Sequence, residues 1–259
     1  MFTMDENEAK VRIAKRIALE FLQQSKDKDI YINLGVGLPT MIADYTTSDR
    51  VFLQAENGML GCGPKAKPDE EDPQLINAGR ERITETIGCA YMSSDMSFGM
   101  IRGGHIDATV LGAFEVDEKG NVANWIIPNG KQLGVGGAMD LVSGAKQVYI
   151  AMQHVTKKGE AKIIPQCKLP VTGFGEVDVV VTEYALFRFH GGKMTLEEIA
   201  PEITIEELKS VTTAEYMIRP DLKPMLVDKG NADLILQKDK KRSPKGNIYA
   251  KYFYQLEVI

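Results

Sequence analysis

Cysteine is scarce in this 259-residue chain: Cys62, Cys89 and Cys167 are the only three, far apart, with no Cys-x-x-Cys or other paired metal spacing. That spacing excludes a disulfide framework and a thiolate metal site and leaves buried or incidental thiols. An excess of positive charge is missing too. Lys and Arg number 31 against 36 Asp and Glu, a formal charge of -5, so no basic field exists to gather nucleic acid. A small charged solute is the more natural partner. Long apolar runs are also lacking, none approaching the roughly 18 residues of a membrane-spanning helix. The first residues, Met1 to Glu8, hold neither the basic nor the apolar region of a leader, so a cytoplasmic protein with no membrane partner is expected. No internal repeat and no low-complexity linker interrupts the chain before about Val227. One domain is expected over residues 1–227, with an extension of unassigned role over 228–259.

What is present suffices for a full core, since 44% of the residues are hydrophobic. Asp5 followed by Glu8 resembles a helix cap, and Ile13, Ile17 and Phe21 with Ala14 and Ala18 recur at helical spacing, predicting an amphipathic first helix. Residues 30–34 read as a buried strand that runs into Gly35-Val36-Gly37, with a helix from Thr40. The same grammar returns at Val51 to Ala55, which ends at Glu56-Asn57-Gly58, and the polar stretch from Lys65 to Pro73 reads as a long loop. Further strands are predicted at Ala108 to Leu111, Gln147 to Met152 and Val177 to Thr182. Such alternation predicts an α/β fold, a single domain with a largely parallel sheet covered by helices. Beyond it, a basic, turn-forming run over 238–246 leads to the β-prone residues Ile248 to Val258.

In sheets of this kind ligands bind beyond the carboxyl ends of the strands, where glycine lets a backbone approach closely. Gly35 and Gly37 can offer amides to a phosphate or carboxylate there, and a purely structural turn is an equal reading. Glu56 ends an apolar strand and is followed at once by Asn57 and Gly58, so a tight turn can aim its carboxylate into a cleft. On composition alone, a carboxylate that merely satisfies its turn is the commoner case. Asn57 either orients the carboxylate or serves the turn. His105 invites a general-base reading, against the commoner hydrogen-bonded loop histidine. Gly136-Gly137 differs, because consecutive glycines allow backbone N–H groups to converge on one point and stabilise an oxyanion.

These runs, with Gly61, Gly63 and Pro64, Ile76-Asn77-Ala78-Gly79, Ser93-Ser94-Asp95 before Phe98, Ala123-Asn124-Trp125 and Gly136 to Asp140, share one order and spacing. Over roughly Ala9 to Leu226 they resemble the beta subunit of family I CoA transferases, of the 3-oxoacid and butyrate-acetoacetate type. The resemblance implies a CoA transferase-like fold, with Glu56 as catalytic nucleophile and the Gly137 amide as a catalytic oxyanion donor. It implies that Gly35, Gly37, Asn57, Gly58, Gly61, Gly63 and Gly136 line the substrate and CoA site. The second oxyanion donor in this family is a glutamine on an alpha subunit, so a hetero-oligomer is expected.

The implied reaction is ping-pong transfer of CoA between an acyl-CoA and a short-chain carboxylic or 3-oxo acid. Coenzyme A is then substrate and covalent intermediate, with no permanently bound cofactor and no metal. Chemistry agrees: a glutamate side chain, with an ordinary pKa of about 4.3, is ionised at neutral pH and attacks a thioester without a general base. Ala55 stands where the family usually has serine, so a hydroxyl that tunes the carboxylate is expected to be missing. Two other readings stay open, an acyl-CoA hydrolase in which water resolves the thioester and a non-enzymatic acyl-CoA or sugar-phosphate sensor.

Overall fold

The computed structural model describes residues 4–46, 48–127, 130 and 134–225. The first helix forms as predicted: α1 (Glu6–Gln24) is capped by the Asp5 carboxylate, which accepts from the amides of Asn7 at 2.9 Å and Glu8 at 3.4 Å. The strands in chain order are β1 (Ile30–Leu34), β2 (Val51–Ala55), β3 (Met59–Lys65), β4 (Ile83–Tyr91), β5 (Ala108–Leu111), β6 (Glu115–Asp117) and β7 (Val122–Ala123). There follow β8 (Val148–Ala151), β9 (Ile163–Ile164), β10 (Val179–Val181), β11 (Ala185–His190), β12 (Lys193–Ile199) and β13 (Met217–Pro224). The remaining helices are α2 (Ser94–Arg102), α3 (Ala138–Gly144) and α4 (Ile205–Val211).

Ten strands form one sheet in the order β13-β12-β11-β10-β8-β5-β1-β2-β3-β4, and β7-β6-β9 form a small second sheet. The five strands predicted from sequence are the centre of the large sheet. From β10 through β8, β5 and β1 to β2 every pairing is parallel. These strands read as unbroken apolar runs because both faces are covered. In β8, Val148 and Ile150 join the core beneath α2 and α3, whereas Tyr149 and Ala151 join the core beneath α1.

Antiparallel pairing in the large sheet appears only at the flanks. β3 and β4 extend the sheet beyond β2, and β11 and β12 form a hairpin beyond β10, closed by Gly191 and Gly192 at φ +57 and +76. The strand β3 occupies sequence that reads as a glycine loop. A Cβ at Gly61 would lie 2.9 Å from the Cys89 Cα, and one at Gly63 would lie 2.3 Å from the Thr84 hydroxyl, so these glycines admit the close approach of β4. The helix predicted from Thr40 is a 3-10 helix over Leu38–Tyr45, entered through Gly37 at φ +87. No helix among the described residues is long and apolar enough to cross a membrane. The expected boundary at 227, the extension over 228–259, its basic run and its β-prone end lie outside the described residues.

Candidate active site

Glu56 leaves β2 at the carboxyl edge of the parallel strands, on the three-residue turn to β3. The Gly58 amide donates to the Ala55 carbonyl at 3.0 Å, and the Gly58 carbonyl accepts from the Met92 amide at 2.9 Å. Gly58 has φ +130, and a Cβ there would lie 2.1 Å from the Met92 carbonyl oxygen, so only glycine fits. The carboxylate is half-buried. Asn57 is exposed and donates to the Ile76 carbonyl at 3.0 Å, tying the turn to the loop ahead of β4.

Of the glycine pair, Gly137 lies against the Glu56 side chain. A Cβ built on Gly137 would come within 3.5 Å of the Glu56 Cγ and within 2.9 Å of the Phe98 ring, so bare backbone is needed there. Gly136 stands exposed at φ +50, and the Ala138 amide that follows is engaged by the Val135 carbonyl at 3.0 Å. Gly137 itself is the N-cap of α3. An ion pair at 2.6 Å between Arg102 and Asp140 fastens α2 to α3, and the Arg102 guanidinium lies over the Phe98 ring.

Beneath Glu56 lies a residue that sequence reading did not single out. Asn33 of β1 is wholly buried, and its Nδ2 donates to Oε2 of Glu56 at 3.5 Å and to the Gln54 side chain at 3.1 Å. The available signal was a carboxamide inside the apolar run Ile30 to Leu34. Gly35 meets β5, where a Cβ would lie 2.9 Å from the Val110 carbonyl oxygen, while Gly37 is exposed with open space around it. Gly61 and Gly63 are buried in the β3–β4 ladder.

Ala55 is buried opposite Met59 and belongs to the core on the α1 face, whereas Gln54 and Asn33 turn toward α2. It borders a cleft of about 210 Å³ with Thr40, Asp44, Cys62 and Lys65. Burial, then the nearby Glu81, raises the pKa of Asp44 there. A hydroxyl at position 55 would face this cleft and not the nucleophile. Burial pushes the thiols of Cys62 and Cys167 up to about 12, which leaves these two unreactive. His105 is an exposed loop residue beyond α2, its amide donating to the Met100 carbonyl at 3.0 Å. No cluster of three or more His, Cys, Asp or Glu among the described residues could hold a metal.

Residues 12–210 match the coenzyme A transferase family. The chain is 47% identical over 212 residues to one subunit of a probable succinyl-CoA:3-ketoacid coenzyme A transferase of Bacillus subtilis, covering 82% of this chain and 96% of that one. It is 47% identical over 216 residues to the beta subunit of the acetate CoA-transferase of Escherichia coli, covering 83% and 96%. A solved acyl-CoA transferase from Escherichia coli superimposes with a TM-score of 0.67 at 22% identity, over 89% of this chain and 46% of that one. The chain spans about half the length of that protein, and the likeness speaks for the fold alone. On the family match and the two close relatives, the chain belongs to the coenzyme A transferases, as a beta subunit of family I.

Proposed function

We propose that this CoA transferase subunit carries the nucleophile, Glu56, and passes CoA between short-chain carboxylic or 3-oxo acids through covalent intermediates. The observation that supports the reading is a carboxylate on a glycine-locked turn, with bare backbone at Gly137 opposite it and an amide donor, Asn33, behind it. The Glu56 carboxylate attacks the acyl-CoA carbonyl, the C–S bond breaks, and an acyl-glutamyl anhydride and CoA thiolate result. The thiolate then attacks the glutamyl carbonyl of the anhydride, releasing the first acid as its carboxylate and leaving a glutamyl-CoA thioester. An incoming carboxylate reverses both steps. Thioester free energy is conserved throughout, so no ATP and no resident cofactor is required.

Each tetrahedral oxyanion needs donors already in place. The Gly137 amide supplies one, and a glutamine of the alpha subunit supplies the other, so the site is completed across a subunit interface. Contacts to the remote parts of CoA provide binding energy to reach the anhydride, and closure keeps water out. Two copies of each subunit form an assembly that symmetry permits, at work in the cytoplasm.

The test is to assay acyl exchange by this chain alone and after addition of the alpha subunit. Activity is expected only with both, with ping-pong kinetics and slow CoA release until an acceptor acid is added. Full activity of the isolated chain would overturn the two-subunit site, and rapid CoA release without acceptor would favour a hydrolase.

A further inference from the structure

Four polar side chains lie in the core directly behind Glu56. Thr109, Asn33 and Gln54 share one register across β5, β1 and β2, and Ser97 closes the row from α2. Thr109, Asn33 and Ser97 are 0% exposed and Gln54 is 2% exposed. Polar groups at the centre of an apolar sheet carry a desolvation cost that valine or leucine would not, so packing alone does not account for the row.

The hydrogen bonds give the row a direction. Gln54 Nε2 donates to the Ser97 hydroxyl at 2.8 Å and to its carbonyl at 3.3 Å. With its amino group turned to α2, Gln54 presents Oε1 to β1, where it accepts from Asn33 Nδ2 at 3.1 Å. The Thr109 hydroxyl donates to Asn33 Oδ1 at 3.4 Å, fixing the other end of that carboxamide. Asn33 Nδ2 also donates to the Gln54 main-chain carbonyl at 3.2 Å, so Gln54 holds the carboxamide through side chain and backbone together, and the same amino group reaches Oε2 of Glu56 at 3.5 Å.

We propose that Gln54, anchored by Ser97, is a positioning residue for the nucleophile: it sets the Asn33 carboxamide so that an N–H holds Glu56 in its attacking orientation. Gln54 touches neither CoA nor acid and acts through Asn33. The role rests on the reading of Glu56 as the nucleophile.

The test uses the chain co-expressed with its alpha subunit. It follows glutamyl-CoA thioester formation on Glu56 by peptide mass after rapid mixing with acyl-CoA, together with steady-state exchange. Gln54→Met keeps the side-chain length and removes all three side-chain hydrogen bonds, two to Ser97 and one from Asn33. Thioester formation and kcat should fall about 10- to 100-fold, as for a misplaced reacting group, with KM for acyl-CoA within about three-fold of the parent. Ser97→Ala, a smaller change that carries the test if Gln54→Met does not fold, should lower the same rates about three- to ten-fold, and Ser97→Thr should restore them. The double variant should be no slower than Gln54→Met, because both act through one contact. Rates are taken per Glu56 that can be labelled, so a folding defect lowers the amplitude and not the rate constant. A parent that forms the thioester at Glu56 while Gln54→Met forms it equally fast overturns the positioning role alone. A parent that exchanges without any thioester on Glu56 overturns the nucleophile, and this role with it.

Discussion

Replacing Gly58 by alanine probes how tightly the turn must hold Glu56. At φ +130 the new Cβ would lie 2.1 Å from the Met92 carbonyl oxygen, whereas ordinary contact begins at 3.4 Å, so the two backbones must part by more than 1 Å. The Met92-to-Gly58 hydrogen bond of 2.9 Å stretches with them. Strain at such a φ costs about 1 to 3 kcal/mol and overpacking a similar amount, so a loss of roughly 3 kcal/mol is expected. For a domain of this size that lowers Tm by about 6 to 12 °C. The larger effect falls on chemistry, since a displacement of about 1 Å at a reacting group costs on the order of 100-fold in kcat. Gly120→Ala is the control, because Gly120 also has positive φ, at +78, but sits between the strands of the second sheet with its nearest contact at 3.3 Å. Exchange assays with the alpha subunit present should show the loss of kcat in Gly58→Ala only. Parent-like kcat in Gly58→Ala, or an equal loss in Gly120→Ala, would show that this turn does not hold the nucleophile in place.

Three further outcomes follow from the same geometry. Glu56→Gln should abolish exchange, and Glu56→Asp should lose at least about 100-fold in kcat because the shorter arm withdraws the attacking oxygen, which steady-state assays would show. Ala55→Ser should change kcat less than about three-fold, since the hydroxyl faces the cleft beside Thr40 and Asp44; a ten-fold change would contradict that placement. His154 is fully buried between the hydroxyls of Thr182 and Thr212, at 2.9 and 2.8 Å, and burial pushes its pKa down to about 3. Its contribution is complete above the unfolded value near pH 6.5 and is lost as pH falls toward 3, about 2 kcal/mol by pH 5. Urea midpoints at pH 7 and pH 5 should therefore show His154→Gln losing less than the parent on acidification, and equal losses would count against it.

The sequence revealed the sheet's centre because β1, β2, β5, β8 and β10 are covered on both faces, so burial leaves a continuous apolar signature. Its flanks were hidden for a physical reason. Gly61, Gly63 and Pro64 signal a loop locally, yet those glycines sit in β3 because β4 passes too close for a side chain. The hairpin of β11 and β12 did carry a signal, Gly191-Gly192 between two β-prone runs. In the site, the strand end and turn that carry Glu56 were legible in sequence, whereas a role for its carboxylate came only from the family resemblance. Asn33, Gln54 and Ser97 were not, since their meaning depends on the register of β1 against β2 and the seating of α2. Ala55 shows the converse, a departure noted in sequence whose side chain lies on the face of the strand away from Gln54 and Asn33.

Covalent capture puts the nucleophile itself to the test. The assembled enzyme is incubated with acyl-CoA, reduced with borohydride, digested and examined by peptide mass. Glu56 alone should be converted to the corresponding alcohol, and adding an acceptor acid before borohydride should protect it. An enzyme that exchanges CoA at full rate while Glu56 is recovered unmodified would contradict the role of Glu56 as nucleophile.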